Sequence, residues 1–230
     1  LTAFNCPSAY GKLIAAGREA VGSKGLFITK KRYAMKIYDL EGEAVDKIKA
    51  MGLDLKRSDT PAYIQDFLSD ILDKVLTGSE EEEVMDFIAA FRLEFKKMPG
   101  WEKGSPRRVN KLTEYHSREK RKGKINMPGH VRAAINWNTL KKVYNDKYSM
   151  DIIDGQKCIV CKLRDNPMGY TSIAYPTDEL RIPDWFKELP FADDQMEATL
   201  INKKLDNLIG VLDWDLHASE ADNTFDKLFG

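Results

Sequence analysis

The sequence has few of the residues and segments on which several classes of protein depend. Its three Cys in 230 residues cannot form a disulfide framework, and its three His offer little acid–base machinery. No window approaches the roughly 20 consecutive apolar residues that a membrane span needs. P-loop, Gly-x-Ser-x-Gly and His-Glu-x-x-His motifs are absent. We therefore expect no membrane partner, no catalytic residues in this chain, and a reducing cytoplasm as its compartment.

An excess of charge of one sign is also missing, because 36 Lys and Arg balance 36 Asp and Glu. The charges are nevertheless segregated along the chain. Residues 12–36 hold seven bases and one acid, residues 96–142 fourteen bases and three acids, and residues 178–230 thirteen acids and five bases. Any one such run of like charges is explained by a protein face that is exposed to solvent. Two basic blocks that also contain Tyr, His and Trp favour a surface that binds nucleic acid.

Hydrophobic periodicity and turn residues predict an α+β chain that is mainly helical after residue 60. Residues 99–129 are predicted to be a basic loop. The strands are expected within 26–40, 156–163 and 170–175, and the helices at 8–20, 43–50, 61–77, 80–98, 131–145 and 193–209.

Two helix starts carry capping residues. Thr60 is predicted to cap the helix whose first residue is Pro61, and Ser79 with Glu82 has the spacing of a capping box. The run Glu80–Glu83 then lies in a first helical turn, where the helix dipole favours carboxylates. We interpret it as part of a cap and not as a cation site.

Two further groups resemble metal sites but have a simpler explanation. Cys158 and Cys161 have the spacing of half a zinc site, yet no ligands with matching spacing supply the other half, so two buried strand cysteines are favoured. Asp213 and Asp215 share one face of an extended segment, but they lie in the acidic C-terminal region, where a solvated loop is favoured. No metal ligands are predicted in this chain.

The run Lys30-Lys31-Arg32-Tyr33 allows two interpretations. If it lies in a strand, Lys31 and Tyr33 point to one face and Lys30 and Arg32 to the other. A Lys beside a Tyr suits the minor groove or the sugar–phosphate edge of a duplex. A basic outer strand face that discourages edge-to-edge aggregation is an equal alternative from these residues alone.

The same run belongs to an ordered series of motifs. It resembles the C-terminal part of a family B DNA polymerase, and more narrowly the replicative polymerases of T-even-type bacteriophages and their marine relatives. The resemblance covers nearly the whole chain and rests on Arg18-Glu19-Ala20, LFITKKRYAMKIYDLEG (26–42), MGLDLKRSDTP (51–61), PGHVR (128–132), DGQK (154–157), RDNPMG (164–169) and FDKLFG (225–230).

The resemblance implies a remnant of the polymerase palm sheet followed by a mainly helical thumb with a small β element. Residues 1–55 would be the end of the palm, 56–222 the thumb, and 223–230 a tail that binds the sliding clamp. The implied clamp contacts are Phe225, Leu228 and Phe229, whose i, i+3, i+4 spacing places them on one helical turn.

The resemblance also implies which residues contact DNA. Lys31 and Tyr33 would face the primer near its 3′ end, with Lys30 and Arg32 in support. The remaining contacts would follow the duplex backbone, with the last two the least closely matched: Lys56, Arg57, Ser58, Arg107, Arg108, Asn110, His130 and Arg132.

One departure from the family limits the expected activity. The palm aspartates that hold the two Mg²⁺ ions precede this sequence in the family, and Asp59-Thr60-Pro61 only resembles their signature. We expect no cofactor on this chain alone, with Mg²⁺ bound in the assembled polymerase. Because the exonuclease, the fingers and most of the palm are absent as well, this chain alone is not expected to polymerise. It is expected to be a fragment of a longer polymerase or one product of a split polymerase, and a first residue of Leu1 instead of Met agrees with an excerpt of a longer chain.

The expected partners are primer–template DNA, the N-terminal part of the polymerase (exonuclease, fingers and palm) and the sliding clamp. The expected location is the cytoplasm of an infected bacterial host. A stand-alone nucleic-acid-binding module without polymerase activity is the alternative.

Overall fold

The computed structural model describes residues 20–123 and 125–216, so the predicted helix at 8–20 lies almost wholly outside them. The mixture of helices and two antiparallel sheets confirms the α+β class. The elements are β1 (Ala20–Thr29), β2 (Arg32–Leu40), β3 (Glu43–Met51), α1 (Ala62–Thr77), α2 (Glu81–Lys97), β4 (Ser105–Arg108), α3 (Leu112–Lys122), α4 (Gly129–Val143), β5 (Lys157–Lys162), β6 (Ser172–Pro176), α5 (Asp184–Lys187), α6 (Asp193–Glu197) and α7 (Lys203–Ile209), with 3₁₀ turns at Asp54–Lys56 and Gly100–Lys103.

The described chain divides into two units, residues 20–52 with Leu76–Gly78 in the first and the remainder in the second. The first unit is an antiparallel sheet in the order β1-β2-β3. Leu26, Ala34 and Ile37 are its buried side chains. The assignment of residues 1–55 to a palm and 56–222 to a thumb stays a prediction.

The predicted helix at 43–50 is wrong, because these residues form β3. The cause is the turn that precedes them. Glu41 and Gly42 have φ of 55° and 94°, the positive pair that a type I′ hairpin turn requires. Asp39 strengthens this turn by accepting a hydrogen bond from the Gly42 N–H at 3.1 Å. The turn sends the chain back along β2, and strand pairing overrides the helical propensity of this stretch.

Helices α1 and α2 confirm the two predicted amphipathic helices, and they pack as an antiparallel pair. Phe67 of α1 stacks on Phe91 of α2 with ring centroids 3.7 Å apart, and Tyr63 lies near Phe95. The Lys74 ammonium pairs with Glu83 at 2.6 Å. Residues later in α1 therefore contact residues earlier in α2, as expected for antiparallel helices.

Both predicted caps are wrong in detail. Helix α1 begins at Ala62, and the Pro61 carbonyl accepts hydrogen bonds from the N–H groups of residues 64 and 65. The Thr60 hydroxyl accepts instead from the Lys204 ammonium at 2.9 Å. At α2 the N-cap is Glu80, which makes no side-chain capping bond. The side chain of Ser79 hydrogen-bonds Glu83 rather than forming a box with Glu82.

The second sheet, in the order β4-β5-β6, confirms the strands predicted near 156–163 and 170–175. Helix α4 confirms the helix predicted at 131–145 and packs on β6, where Asn136 donates to the Ser172 carbonyl at 2.9 Å. Trp137 is completely buried beneath α5. Its ring centroid lies 5.3 Å from that of Phe186.

The prediction of a loop over 99–129 is wrong, because this stretch contains a 3₁₀ turn, β4 and α3. Strand β4 forms because Pro106 and its neighbours pair with β5 along one edge. Helix α3 begins where the Asp154 carboxylate accepts hydrogen bonds from the backbone N–H groups of Leu112 and Thr113. That capping acid comes from a residue more than 40 positions along the chain, which local sequence does not reveal.

The helix predicted at 193–209 is confirmed as one helical path through α6, a π-helical turn at Ala198–Asn202, and α7. Leu200, Ile201, Leu205 and Leu208 provide its buried side. Within the part of the chain that the structure describes, no helix has both the length and the apolar character to cross a bilayer.

Candidate nucleic-acid interface

The run predicted to touch the primer forms the tip of the first hairpin. Lys30 and Lys31 are the exposed two-residue turn between β1 and β2, and Arg32 and Tyr33 begin β2. The prediction that strand alternation places Lys31 beside Tyr33 is therefore wrong, since only residues from Arg32 onward lie in the strand. Tyr33 stacks on Phe27 across the hairpin, with centroids 6.0 Å apart.

A glycine allows this turn to lie close against the end of β3. Gly52 has a φ of 67°, and a Cβ there would overlap the Lys31 carbonyl. The close approach fixes the backbone of the turn while the two lysine side chains remain exposed to solvent.

Six other predicted DNA contacts meet in the second unit. They line a cleft of about 520 Å³, which we call the arginine cleft. It is formed by the loop before α1, by β4 together with Asn110, and by the start of α4. The lining residues are Arg57, Ser58, Asp59, Pro106, Arg107, Arg108, Asn110 and His130.

Asp59 lies at the centre of the hydrogen bonding in this cleft. Arg57 donates to both of its oxygens, from Nε and Nη2, at 3.0 Å each. Arg107 donates from Nη1 at 2.9 Å to the Oδ2 of Asp59, the oxygen that also accepts from the Arg57 Nη2. One carboxylate therefore joins two arginines that are 50 positions apart in the sequence.

The backbone around the cleft is held by separate interactions. The Arg57 carbonyl accepts from the Thr60 N–H and from the Gln65 side chain, both at 3.0 Å, which fixes the loop before α1. Arg108 donates from Nη1 to the Gly155 carbonyl at 3.0 Å. The Val109 backbone bonds to both Gly155 and Gln156. Each arginine is thus attached to a well-supported segment.

The cleft remains positive despite its carboxylate. The hydrogen bonds from Arg57, together with the charge of Arg107, lower the pKa of Asp59 to about 2, so it is ionised at neutral pH. Burial, with a contribution from Arg107, lowers the pKa of His130 below its usual value. Three guanidinium groups therefore line the cleft with the Asp59 carboxylate and a mostly neutral imidazole, while Asp54 lies 3.3 Å from the Arg57 Nε without lining the cleft. The excess of guanidinium charge is suited to binding anions.

Not every predicted contact lies in the cleft. Lys56 is exposed at the end of a 3₁₀ turn but does not line it. Arg132 points toward α3, where it pairs with Glu119 and donates to the Ile125 carbonyl at 3.1 Å. Lys30–Tyr33 belong to the first unit. Phe225, Leu228 and Phe229 lie outside the described residues.

Sequence reasoning missed Asp59 as a member of the site. From the sequence alone, Asp59 is part of a helix start that only resembles a metal-binding signature. An acid two residues after Arg57 and next to a basic block was the one available sign, but its link to Arg107 depends on the fold.

Cys158 and Cys161 are both buried on β5, as predicted, and burial raises the pKa of Cys158 to about 12. Asp213 and Asp215 are exposed and outside any helix or strand. Across residues 20–123 and 125–216, no group of three or more His, Cys, Asp and Glu comes together in a way that could hold a metal ion.

Comparison with known proteins places the chain in a family. Residues 8–132, more than half of its length, match the model of DNA polymerase family B. The chain belongs to DNA polymerase family B. The match to the family B model includes all twelve residues predicted to contact DNA, namely the four of the hairpin tip, the six of the arginine cleft, Lys56 and Arg132.

Two phage proteins are similar to this family B chain. It is 29% identical over 176 residues to a DNA-directed DNA polymerase of Enterobacteria phage T4. It is 31% identical over 176 residues to a DNA-directed DNA polymerase of Escherichia phage RB69. Each alignment covers 72% of this chain and 19% of the relative. The family B chain thus spans about a fifth of the length of these curated relatives.

Proposed function

We propose that this chain is the primer–template-gripping part of a replicative DNA-directed DNA polymerase. Residues 1–55 would be the end of the palm and residues 56–222 the thumb. Membership of family B and similarity to two phage polymerases support this function. The proposed place of action is the cytoplasm of an infected bacterium, because both relatives are phage proteins.

The arginine cleft is the observation that carries the proposal. Three separate segments converge on it, and two of them contribute arginines that can bind phosphate oxygens by charge-assisted hydrogen bonds. Phosphate contacts are independent of base sequence, as a replicative enzyme requires. Each contact also releases condensed counterions, so binding should weaken steeply with salt.

Nucleotidyl transfer is proposed to need the N-terminal part of the polymerase as a partner. Mg²⁺ would be bound in the assembled enzyme. The described residues offer no carboxylate cluster that suits two such ions. This part of the chain therefore does not fit a catalytic metal site, and we assign it no chemical step.

The exposed turn at Lys30 and Lys31 provides the test of this function. We expect Lys31→Ala to weaken binding of a labelled primer–template about three- to tenfold at moderate salt, with little dependence on sequence. Minor-groove acceptors occur in every base pair, which explains the expected tolerance. Fluorescence anisotropy over a salt series measures both the affinity and its salt slope.

Lys47→Ala is the matched control, since Lys47 is also exposed and lies on β3 of the same unit. It is expected to leave affinity nearly unchanged. Equal losses in the two variants would indicate a general charge effect. Absence of salt-sensitive duplex binding by the folded wild-type chain would contradict the proposed function itself.

The proposed clamp contact rests on the sequence alone. Phe225, Leu228 and Phe229 would insert into a shallow apolar pocket of the sliding clamp. Deletion of residues 223–230 is expected to abolish clamp binding while leaving duplex binding unchanged. Surface plasmon resonance with immobilised clamp measures this, and clamp binding that survives the deletion would contradict the contact.

A further inference from the structure

A carboxylate at the centre of a phosphate-binding cleft is an unexpected feature. Asp59 is ionised and only about a quarter exposed, with a side-chain exposure of 23%. By charge alone it would repel a DNA phosphate and lower affinity. Its position therefore needs an explanation beyond charge.

The hydrogen bonds to Asp59 provide that explanation. A guanidinium has five N–H donors in a rigid plane. Arg57 uses one edge of its plane for Asp59 and Arg107 uses one nitrogen, while their side chains remain 59% and 45% exposed. Each guanidinium is held on one side, and its other donors remain available to a ligand.

The two guanidinium groups are also held close together. The Nη2 of Arg57 and the Nη1 of Arg107 bond the same oxygen at 3.0 and 2.9 Å. These two nitrogens are therefore less than about 6 Å apart, a separation that two oxygens of one phosphodiester can bridge. Asp54, 3.3 Å from the Arg57 Nε, would still hold Arg57, but without Asp59 the two like charges would repel and the long side chains would separate.

We propose that Asp59 is a positioning residue that holds Arg57 and Arg107 as a preformed subsite for a single backbone phosphate of the duplex. The proposal rests on the proposed function, because the phosphate is taken to be that of primer–template DNA. The ordering of two flexible side chains occurs during folding, so binding does not have to supply it.

The proposal predicts an effect of opposite sign to that of simple electrostatics. Asp59→Asn removes a negative charge from a basic cleft, which by charge alone should tighten DNA binding. If Asp59 positions the arginines, we expect the variant to bind primer–template about three- to tenfold more weakly. Its salt slope should also fall, because phosphate contacts are lost although the cleft has become more positive.

Glu114→Gln is the matched control for the loss of one acid. Glu114 is an exposed residue of α3 that lies outside the cleft, and its partner is Arg118 at 3.6 Å. This variant is expected to keep or slightly increase affinity. Tighter or unchanged binding by Asp59→Asn, with the arginines shown to bind DNA, would overturn the proposal.

A double-mutant cycle distinguishes positioning from general damage. In an Arg57→Ala/Arg107→Ala background, Asp59→Asn is expected to cause no further loss of affinity, because Asp59 acts only through these arginines. A further loss of the same size in that background would overturn the positioning role.

A measurement on the wild-type chain covers the case in which Asp59→Asn does not fold. The Nε–H resonances of Arg57 and Arg107 in NMR spectra should shift together, at the same duplex concentrations, as primer–template is added. Independent titration of the two would overturn the shared subsite. If neither shifts and Arg107→Ala leaves affinity unchanged, the proposed function of the cleft fails, which is a different outcome from failure of the Asp59 proposal alone.

Discussion

Removing all three arginines of the cleft, as Arg57→Ala/Arg107→Ala/Arg108→Ala, is expected to weaken primer–template binding by about 100-fold at about 0.1 M salt. Each of the three substitutions would remove one charge-assisted contact between the protein and a DNA phosphate. The slope of log affinity against log salt should become shallower by about 2 to 3, since each lost contact contributes about 0.9. Anisotropy titrations between low and moderate salt measure both quantities.

The control for this variant removes the same charge elsewhere in the second unit. Arg164→Ala/Arg181→Ala/Lys187→Ala changes three exposed residues that do not line the cleft. Screening by salt should limit its effect to a few-fold change. Comparable losses in the two triple variants would show that net charge, and not the cleft, determines affinity.

Trp137→Ala is expected to lower the free energy of unfolding of the second unit by about 3–5 kcal/mol. The side chain is fully buried, with ring centroids 5.2 Å from Trp185 and 5.3 Å from Phe186. Its Nε1 also donates to the Met150 carbonyl at 2.9 Å. Truncation would leave a cavity beneath α5 and remove the donor that satisfies this carbonyl.

Urea unfolding followed by circular dichroism measures this loss. Tyr148→Ala is the control, because Tyr148 is 98% exposed, and its effect should stay within about 0.5 kcal/mol. A loss below about 1 kcal/mol for Trp137→Ala would mean that the surrounding core closes over the space, contrary to expectation.

Helical periodicity explains why so much of the second unit could be predicted. Helices α1 and α2 repeat apolar residues over four turns, and their positions follow from that pattern alone. Helix α3 has no such pattern, since Leu112 is its only buried residue. It depends on the distant Asp154, and for this reason the sequence predicts a loop there.

The candidate site was predictable in most of its members, with Asp59 the important exception, but not in its arrangement. Arg57, Arg107 and His130 are identified by the resemblance to the family, while their convergence depends on the packing of three segments. At the hairpin tip, the local secondary structure was itself predicted wrongly. The residues Lys30 and Lys31 were identified, but a two-residue turn replaces the assumed strand, so the argument from alternation does not apply.

Gly104 limits how the arginine cleft can be redesigned. It immediately precedes β4, and an added Cβ would collide with the Ile159 side chain and approach the Cys161 sulfur to 2.7 Å. A variant library that randomises Arg107 and Arg108 would keep the spacing between β4 and β5, because both side chains are exposed. A library that randomises Gly104 would force the two strands apart and displace both arginines together.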